Sequence, residues 1–419
     1  AVKAPASKIR MVIASESDVL LEEVQFLSDE PMTVDTVSTS QPVIPVLIGK
    51  NDNPVIQIKI VASGINEPQS VSQFSFTTNG TTDPNDIENI KVYYTGNDTQ
   101  FLSENLFGEA NSIDELMTIN GETQLSNGVN YFWLSYTVKN NTPLDHKVDA
   151  QLEKTSFSNG KSITSSPTQD NFSQRIGHAL RQHWDDSVHT YRIPGLATTN
   201  KGTLIGVYDL RYNGSVDLQE DVDVGLSRST DGGNTWEDMK VIMDMKEWGG
   251  KPENENGIGD PSVLIDRSNN TIWVAGIWAH GHPGKRNWNA SKPGMTPEET
   301  SQFILVKSED DGVTWSNPIN ITKQIKNPKW QLMLQGPGKG ITLKDGTLVF
   351  PAQYKDEEKV PHSTIIYSSD HGKTWKIGTG AKSKTTEAQV VELEDGALML
   401  NMRDDRGRVA GQGARSVAI

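Results

Sequence analysis

The stretch Ser229-Thr230-Asp231-Gly232-Gly233-Asn234-Thr235-Trp236 decides the fold, because it recurs as Ser308-Glu309-Asp310-Asp311-Gly312-Val313-Thr314-Trp315 and again as Ser368-Ser369-Asp370-His371-Gly372-Lys373-Thr374-Trp375. Each position in S-x-D-x-G-x-T-W has a physical use. The Asp carboxylate accepts bonds from turn N–H groups, the Gly permits positive φ, and the Trp buries its ring between neighbouring sheets. Each copy follows a β-prone run, Val222 to Leu226, Phe303 to Val306 and Thr364 to Tyr367, so each marks a hairpin in a repeated β unit. Repetition at unequal intervals predicts propeller blades with insertions between some strands. The box acids are structural in this reading, and chemistry has to be sought elsewhere.

Upstream of the first copy lies His189-Thr190-Tyr191-Arg192-Ile193-Pro194-Gly195-Leu196. Here an arginine sits inside a strand-like apolar run, and Pro194 is expected to hold Ile193 in an extended backbone. Arg192 on a rigid segment can grip a carboxylate or phosphate through two parallel hydrogen bonds, or it can form an ordinary surface ion pair. Downstream, Asp217 lies in an acidic run with Glu220, Asp221 and Asp223 that also reads as a solvated loop. Glu387 opens Glu387-Ala388-Gln389-Val390-Val391 and equally suits an edge charge, while Arg403 sits among Asp404, Asp405 and Arg406 as if in a surface ion network. His280-Gly281-His282 offers two imidazoles without a third ligand, and no metal site is assigned.

Residues 1–160 alternate apolar and polar without a sustained helical period, as in Val55-Ile56-Gln57-Ile58-Lys59-Ile60 and Tyr131-Phe132-Trp133-Leu134-Ser135-Tyr136. Separated by Asn, Gly and Asp turns, these runs predict an antiparallel β-sandwich. One short helix is expected near Ser112-Ile113-Asp114-Glu115-Leu116. Tyr93, Tyr94 and Trp133 either fill the sandwich core or display rings for glycan binding. Residues 161–174, rich in Ser, Thr, Asn and Pro, read as a linker, with a second domain over 175–419.

Composition narrows the function classes. The chain has 419 residues, no cysteine and a formal net charge of -15. Disulfides, thiol nucleophiles and thiolate metal sites are excluded, and the charge opposes binding of nucleic acid through its phosphates. An anionic ligand would need local arginines inside a cleft, where salt screens less. No run reaches the ~18 apolar residues of a membrane span. The chain begins at Ala1 without a leader, so the expectation is a secreted or periplasmic protein whose signal peptide has been removed or cut away.

The Tyr-Arg-Ile-Pro stretch followed by three such boxes resembles the sialidase (neuraminidase) family, closest to bacterial exo-α-sialidases that carry an N-terminal sandwich. The resemblance covers residues from about 175 onward. It implies an all-β fold, an N-terminal carbohydrate-binding-like β-sandwich followed by a six-bladed β-propeller. It also implies metal-free, cofactor-free retaining hydrolysis of terminal sialic acid from sialylated glycans. By the same resemblance Arg192 and Arg403 belong to the arginine triad that clamps the sugar carboxylate, and Arg211 is a further arginine beside that pocket. Asp217 is the acid/base carboxylate, Asp260 in Gly259-Asp260-Pro261-Ser262 accepts from the N-acetyl N–H, and Glu387 activates a tyrosine nucleophile. The third arginine and the tyrosine belong to later blades of the family. Roughly four blades at ~50–60 residues each fit after the linker, so the last blades are expected to lie outside this sequence. A non-hydrolytic sialic acid-binding propeller, or a transferring or anhydro-forming sialidase, stays open at this stage.

Overall fold

The computed structural model describes residues 31–110, 113, 116–165, 172–217, 220–280, 286–406 and 415–419. Most of the stretch expected as a helix near Ser112 to Leu116, most of His280-Gly281-His282 and the middle of the 161–174 stretch lie outside the described residues. Contacts divide the chain into Ala1–Ala179 and Leu180–Ile419.

The first unit holds two antiparallel sheets. One runs Thr33–Ser40, Asn53–Ser63, Gly128–Val138, Ile87–Gly96 and Leu106–Ala110 in spatial order, the other Ser162–Thr164, Gln151–Phe157, Ser70–Thr77 and Met117–Gln124. Alternation sends Ile58 and Ile60 to the same core as Phe132 and Leu134, where the rings of Phe74 and Phe132 meet edge-on at 5.1 Å. Tyr93 and Trp133 are buried, each 5.9 Å from Phe101, and Tyr94 lies 4.7 Å from Phe132, so all three rings pack rather than project. Gln174–Gly177, which straddles the expected boundary between the linker and the second domain, pairs with Val46–Leu47 and Lys147–Val148 of the first. Backbone pairing, which composition does not reveal, places it there.

The second unit repeats one antiparallel sheet. Thr190–Thr198, Leu204–Arg211, Val222–Ser229 and Lys240–Met243 form the first copy, and Asn256–Ile265, Ile272–His280, Gln302–Ser308 and Ile319–Asn320 the second. The third centres on Leu348–Lys355 and Pro361–Ser368, and the fourth comprises Thr385–Glu392, Leu398–Asp404 and Arg415–Ala418. Apolar clusters are shared by successive sheets. Ile272 and Val274 face Ile205 and Val207 of the first sheet, whereas Trp273 and Ala275 face Leu348 and Phe350 of the third. Both faces of the second sheet are therefore covered, which is why Ile272-Trp273-Val274-Ala275 is apolar without alternation.

The boxes behave as expected. Each third strand ends on the box Ser, and Asp231 accepts from Thr235 N at 2.9 Å and Thr235 Oγ1 at 2.6 Å, a pattern repeated at Asp310 with Thr314 and at Asp370 with Thr374. The Ser229 hydroxyl accepts from Gly233 N at 2.9 Å and donates to Asp231 at 2.8 Å. Hydrogen bonds from Thr374 lower the Asp370 carboxyl to about 2. Gly372 has φ +79, and a Cβ there would lie 2.3 Å from Trp273 Cζ2 of the preceding sheet. Trp375 is buried between that ring, at 5.9 Å, and Phe350, at 5.6 Å. The box thus closes a turn and also joins two sheets.

Candidate active site

The first strands of the sheets are interrupted where they matter. Register slips between Arg192 and Gly195, between Gly259 and Ser262, and between Thr386 and Ala388. The residues in these slips include Ile193, Asp260 and Glu387, and all three line one cavity of about 470 Å³. A bulge turns a side chain out of the strand's alternation, and here three sheets use it at a common place. Ile193 has φ +56 and Asp260 φ +53, left-handed backbone that β-branched and acidic residues adopt at a cost. The extended backbone expected for Ile193 from Pro194 is thus corrected. The bulge overrides the local preference, and Asp260-Pro261 repeats the same Xaa-Pro device one sheet later.

Arg192, Asp217, Asp260, Glu387 and Arg403 all line this cavity. Arg192 Nη1 donates to Asp217 Oδ1 at 3.1 Å and to Ser215 O at 2.9 Å. Glu387 Oε2 accepts from Arg403 Nη1 at 2.7 Å, 16 residues away in sequence but side by side because Thr386 pairs with Arg403. Both arginines are partly exposed and make these hydrogen bonds through Nη1, with Arg403 Nε also 4.0 Å from Asp405 Oδ1, so the Nη2 side of each planar fork is left to face a second anion.

Arg211 is placed differently from its expected role. It is buried at 1% exposure and is not part of the cavity wall among the described residues. Its Nη2 and Nε donate to Asp209 Oδ2 at 2.7 and 3.1 Å, while Nη1 donates to Asp217 Oδ1 at 2.8 Å and Ser215 O at 3.0 Å. It holds the loop carrying Asp217 from behind, since burial of a guanidinium requires that its donors be met inside the protein.

The environments of the carboxylates diverge. Burial alone would raise Asp217, but the Arg211 hydrogen bond and the charges of Arg211, Arg192 and Arg286 outweigh it and hold the carboxyl below its usual range. Asp260 is pushed upward by burial and by the charges of Asp209, Asp217 and Glu387, against the opposing Arg211. One site therefore holds a firmly ionised carboxylate and another that retains a proton more readily.

Several lining residues were not legible in sequence. Arg286, Asn287, Trp288 and Asn289 come from the connection between Ile272–His280 and Gln302–Ser308. Lys355 Nζ donates to Trp288 O at 2.8 Å and lies 4.4 Å from the Trp288 ring centre, fixing that rim. Gln353 is buried with no hydrogen-bond partner for Oε1 among the described residues, beside Leu332 and Leu334. The length of the insertion was the available signal for the rim, and Gln353 carried none within an ordinary apolar strand. Among the described residues no tyrosine lines the cavity and no cluster of His, Asp or Glu is arranged to hold a metal.

Comparison with known proteins decides the family. The BNR repeat-like domain matches residues 193–412, and the N-terminal domain of BNR-repeat neuraminidase matches residues 34–161. A sialidase of Bacteroides fragilis is 43% identical over 92% of this chain and 74% of its own length. The chain belongs to the sialidase family. It is similar to the solved Hadza microbial sialidase Hz136 at 41% identity and TM-score 0.82, over 90% of this chain and 77% of that one. A Clostridium perfringens sialidase is 34% identical over 51% of this chain and 56% of its own length. The fold expected from the boxes, an N-terminal β-sandwich and a sialidase propeller, is the one found, and the protein is a glycoside hydrolase of the neuraminidase type.

Proposed function

We propose that this sialidase removes terminal α-linked sialic acid from glycan chains with retention at the anomeric carbon, and that the cavity lined by Arg192 and Arg403 receives the sugar. The observation that carries the reading is the convergence on one cavity of Arg192 and Arg403, each hydrogen-bonded to a carboxylate through Nη1, in a chain whose net charge of -15 would otherwise repel an acid sugar. The substrate carboxylate takes the remaining donors of both forks. Cleavage of such a bond passes through an oxocarbenium-like state, and sialidases with a Tyr nucleophile depart from the two-carboxylate scheme. Asp217, at the cavity wall, protonates the leaving oxygen and later activates water, and Glu387 draws a proton from the nucleophile. Asp217 is held ionised by Arg211 and Arg192. A substrate carboxylate that draws Arg192 away raises its proton affinity at the moment an acid is needed. Asp260 faces the sugar's substituents, with Gln353 Oε1 free to accept from a substrate N–H or O–H.

Sialylated glycans outside the cell are the substrate this chemistry fits, in keeping with a secreted or periplasmic location. No helix among the described residues is long and apolar enough to cross a membrane. The test is incubation of the protein with 4-methylumbelliferyl sialoside and with sialyllactose, following the free sugar by NMR. Initial appearance of the α-anomer of free sialic acid supports hydrolysis with retention. A β-anomer product, or an anhydro or transferred sugar in its place, would overturn it.

A further inference from the structure

We propose that Asp209, a residue outside the cavity wall, is the positioning residue of this site, holding Asp217 and Asp260 in place from opposite sides through one buried carboxylate. The inference rests on the sialidase reading for its catalytic consequence but on geometry for its structure. Asp209 is fully buried on Leu204–Arg211 and pairs across the strands with Arg192. Its Oδ2 takes the Nε and Nη2 edge of Arg211, at 3.1 and 2.7 Å. That engagement turns the remaining nitrogen, Nη1, onto Asp217 Oδ1 and Ser215 O, at 2.8 and 3.0 Å. Its Oδ1 takes the backbone N–H of Asp260 at 2.8 Å, from the next sheet.

Two costs are met by this one group. A buried guanidinium needs a counter-charge, and the left-handed turn at Asp260, φ +53, needs an acceptor for a backbone N–H that the slipped strand no longer bonds in register. Without Asp209, Arg211 has Asp217 as its nearest anion, and the Asp260 bulge loses its anchor. The groups facing this network are Arg192, Arg286, Asp217, Asp260 and Glu387, so a change in charge at Asp209 is felt by both cavity carboxylates. The positive charge of Arg211 would bear on Asp217 unshared, and the repulsion that now raises Asp260 would vanish.

The decisive variants are Asp209→Asn, which keeps an oxygen for the Asp260 N–H but loses the charge, and Asp209→Ala, which loses both. Carboxyl-carbon NMR titrations of Asp217 and Asp260, assigned with Asp217→Asn and Asp260→Asn, are recorded on each protein. Asp209→Asn is expected to move both midpoints downward and to lower the melting temperature, since the buried Arg211 is left with Asp217 as its nearest anion; the titrations are recorded below that temperature, on folded protein. Turnover of 4-methylumbelliferyl sialoside should show kcat reduced roughly 30-fold and KM within about threefold, with Asp209→Ala adding a further rise in KM of about tenfold; these sizes follow from misplacing a catalytic group by a fraction of an ångström. Unchanged midpoints in a folded Asp209→Asn protein would overturn the proposal, as would a loss of activity accounted for by the unfolded fraction alone. The titration does not depend on turnover, so a wild-type protein that cleaves no sialoside would refute the functional reading while the positioning role is still decided.

Discussion

Replacing Asp217 by Ala separates chemistry from binding. In the free protein its Oδ1 accepts from Arg211 at 2.8 Å and from Arg192 at 3.1 Å, and the side chain is 51% exposed. Arg211 keeps Asp209 as a counter-charge and Arg192 is itself partly open to solvent, so the pairs lost are worth about 0–1 kcal/mol after screening. For a domain of this size that corresponds to a fall in Tm of at most ~4 °C. Loss of general acid catalysis is larger, typically ~10²–10⁴ in rate for a leaving group that needs a proton. Sialyllactose, whose leaving group is a sugar alkoxide, should lose about 10³ in kcat. A 4-methylumbelliferyl sialoside, whose phenolate leaves unaided, should lose about tenfold or less. KM for both should stay level or fall, because the substrate carboxylate no longer displaces Asp217 from Arg192. Steady-state kinetics on the two substrates, with a melting curve for each protein, makes the comparison. Equal losses on both substrates would refute the acid role, and a rise in KM on both would refute the competition for Arg192.

Gly372→Ala, at the box glycine, and Gly232→Ala, one box position earlier, replace glycines of closely similar φ, +79 and +78, but only Gly372 faces a ring, Trp273, whereas nothing lies within 4 Å of a Cβ at Gly232. Chemical denaturation should show about 1–2 kcal/mol lost at Gly232, from the left-handed backbone, and a further ~1–3 at Gly372 from overpacking; equal losses would mean the box does not join the sheets through this contact. Asp223 is raised to about 8 by burial and the charge of Asp244, with Asp221 and Glu253 adding to it and the Tyr212 hydroxyl, 2.9 Å away, opposing. Between the ordinary carboxylate value and about 8 the folded protein holds a proton that the unfolded chain has released, so this group's contribution to stability falls as pH rises through that window. Asp223→Asn should therefore lose less Tm than the wild type between pH 5 and pH 8, and a parallel decline in both would remove Asp223 as the cause.

Amino-acid order alone determined the repeat. The Ser, Asp, Gly, Thr and Trp of each box act within one turn, over bonds spanning four residues or fewer, and such local chemistry is readable from spacing. Arg192, Asp217, Asp260, Glu387 and Arg403 were legible as candidates because residue type and order matched a family, and the structure brings them to one cavity. What no local pattern contained was direction. The slips at Ile193, Asp260 and Glu387 depend on strand pairing with neighbours distant in sequence, and they turn Xaa-Pro at Ile193 away from the backbone its own sequence favours. Arg211 was read as an arginine beside the pocket that binds substrate, and it lies buried behind Asp217 with its donors taken by Asp209, Asp217 and Ser215. Whether an arginine reaches substrate or a buried aspartate is settled by which face of the sheet is covered, and only the packing of the next sheet covers it.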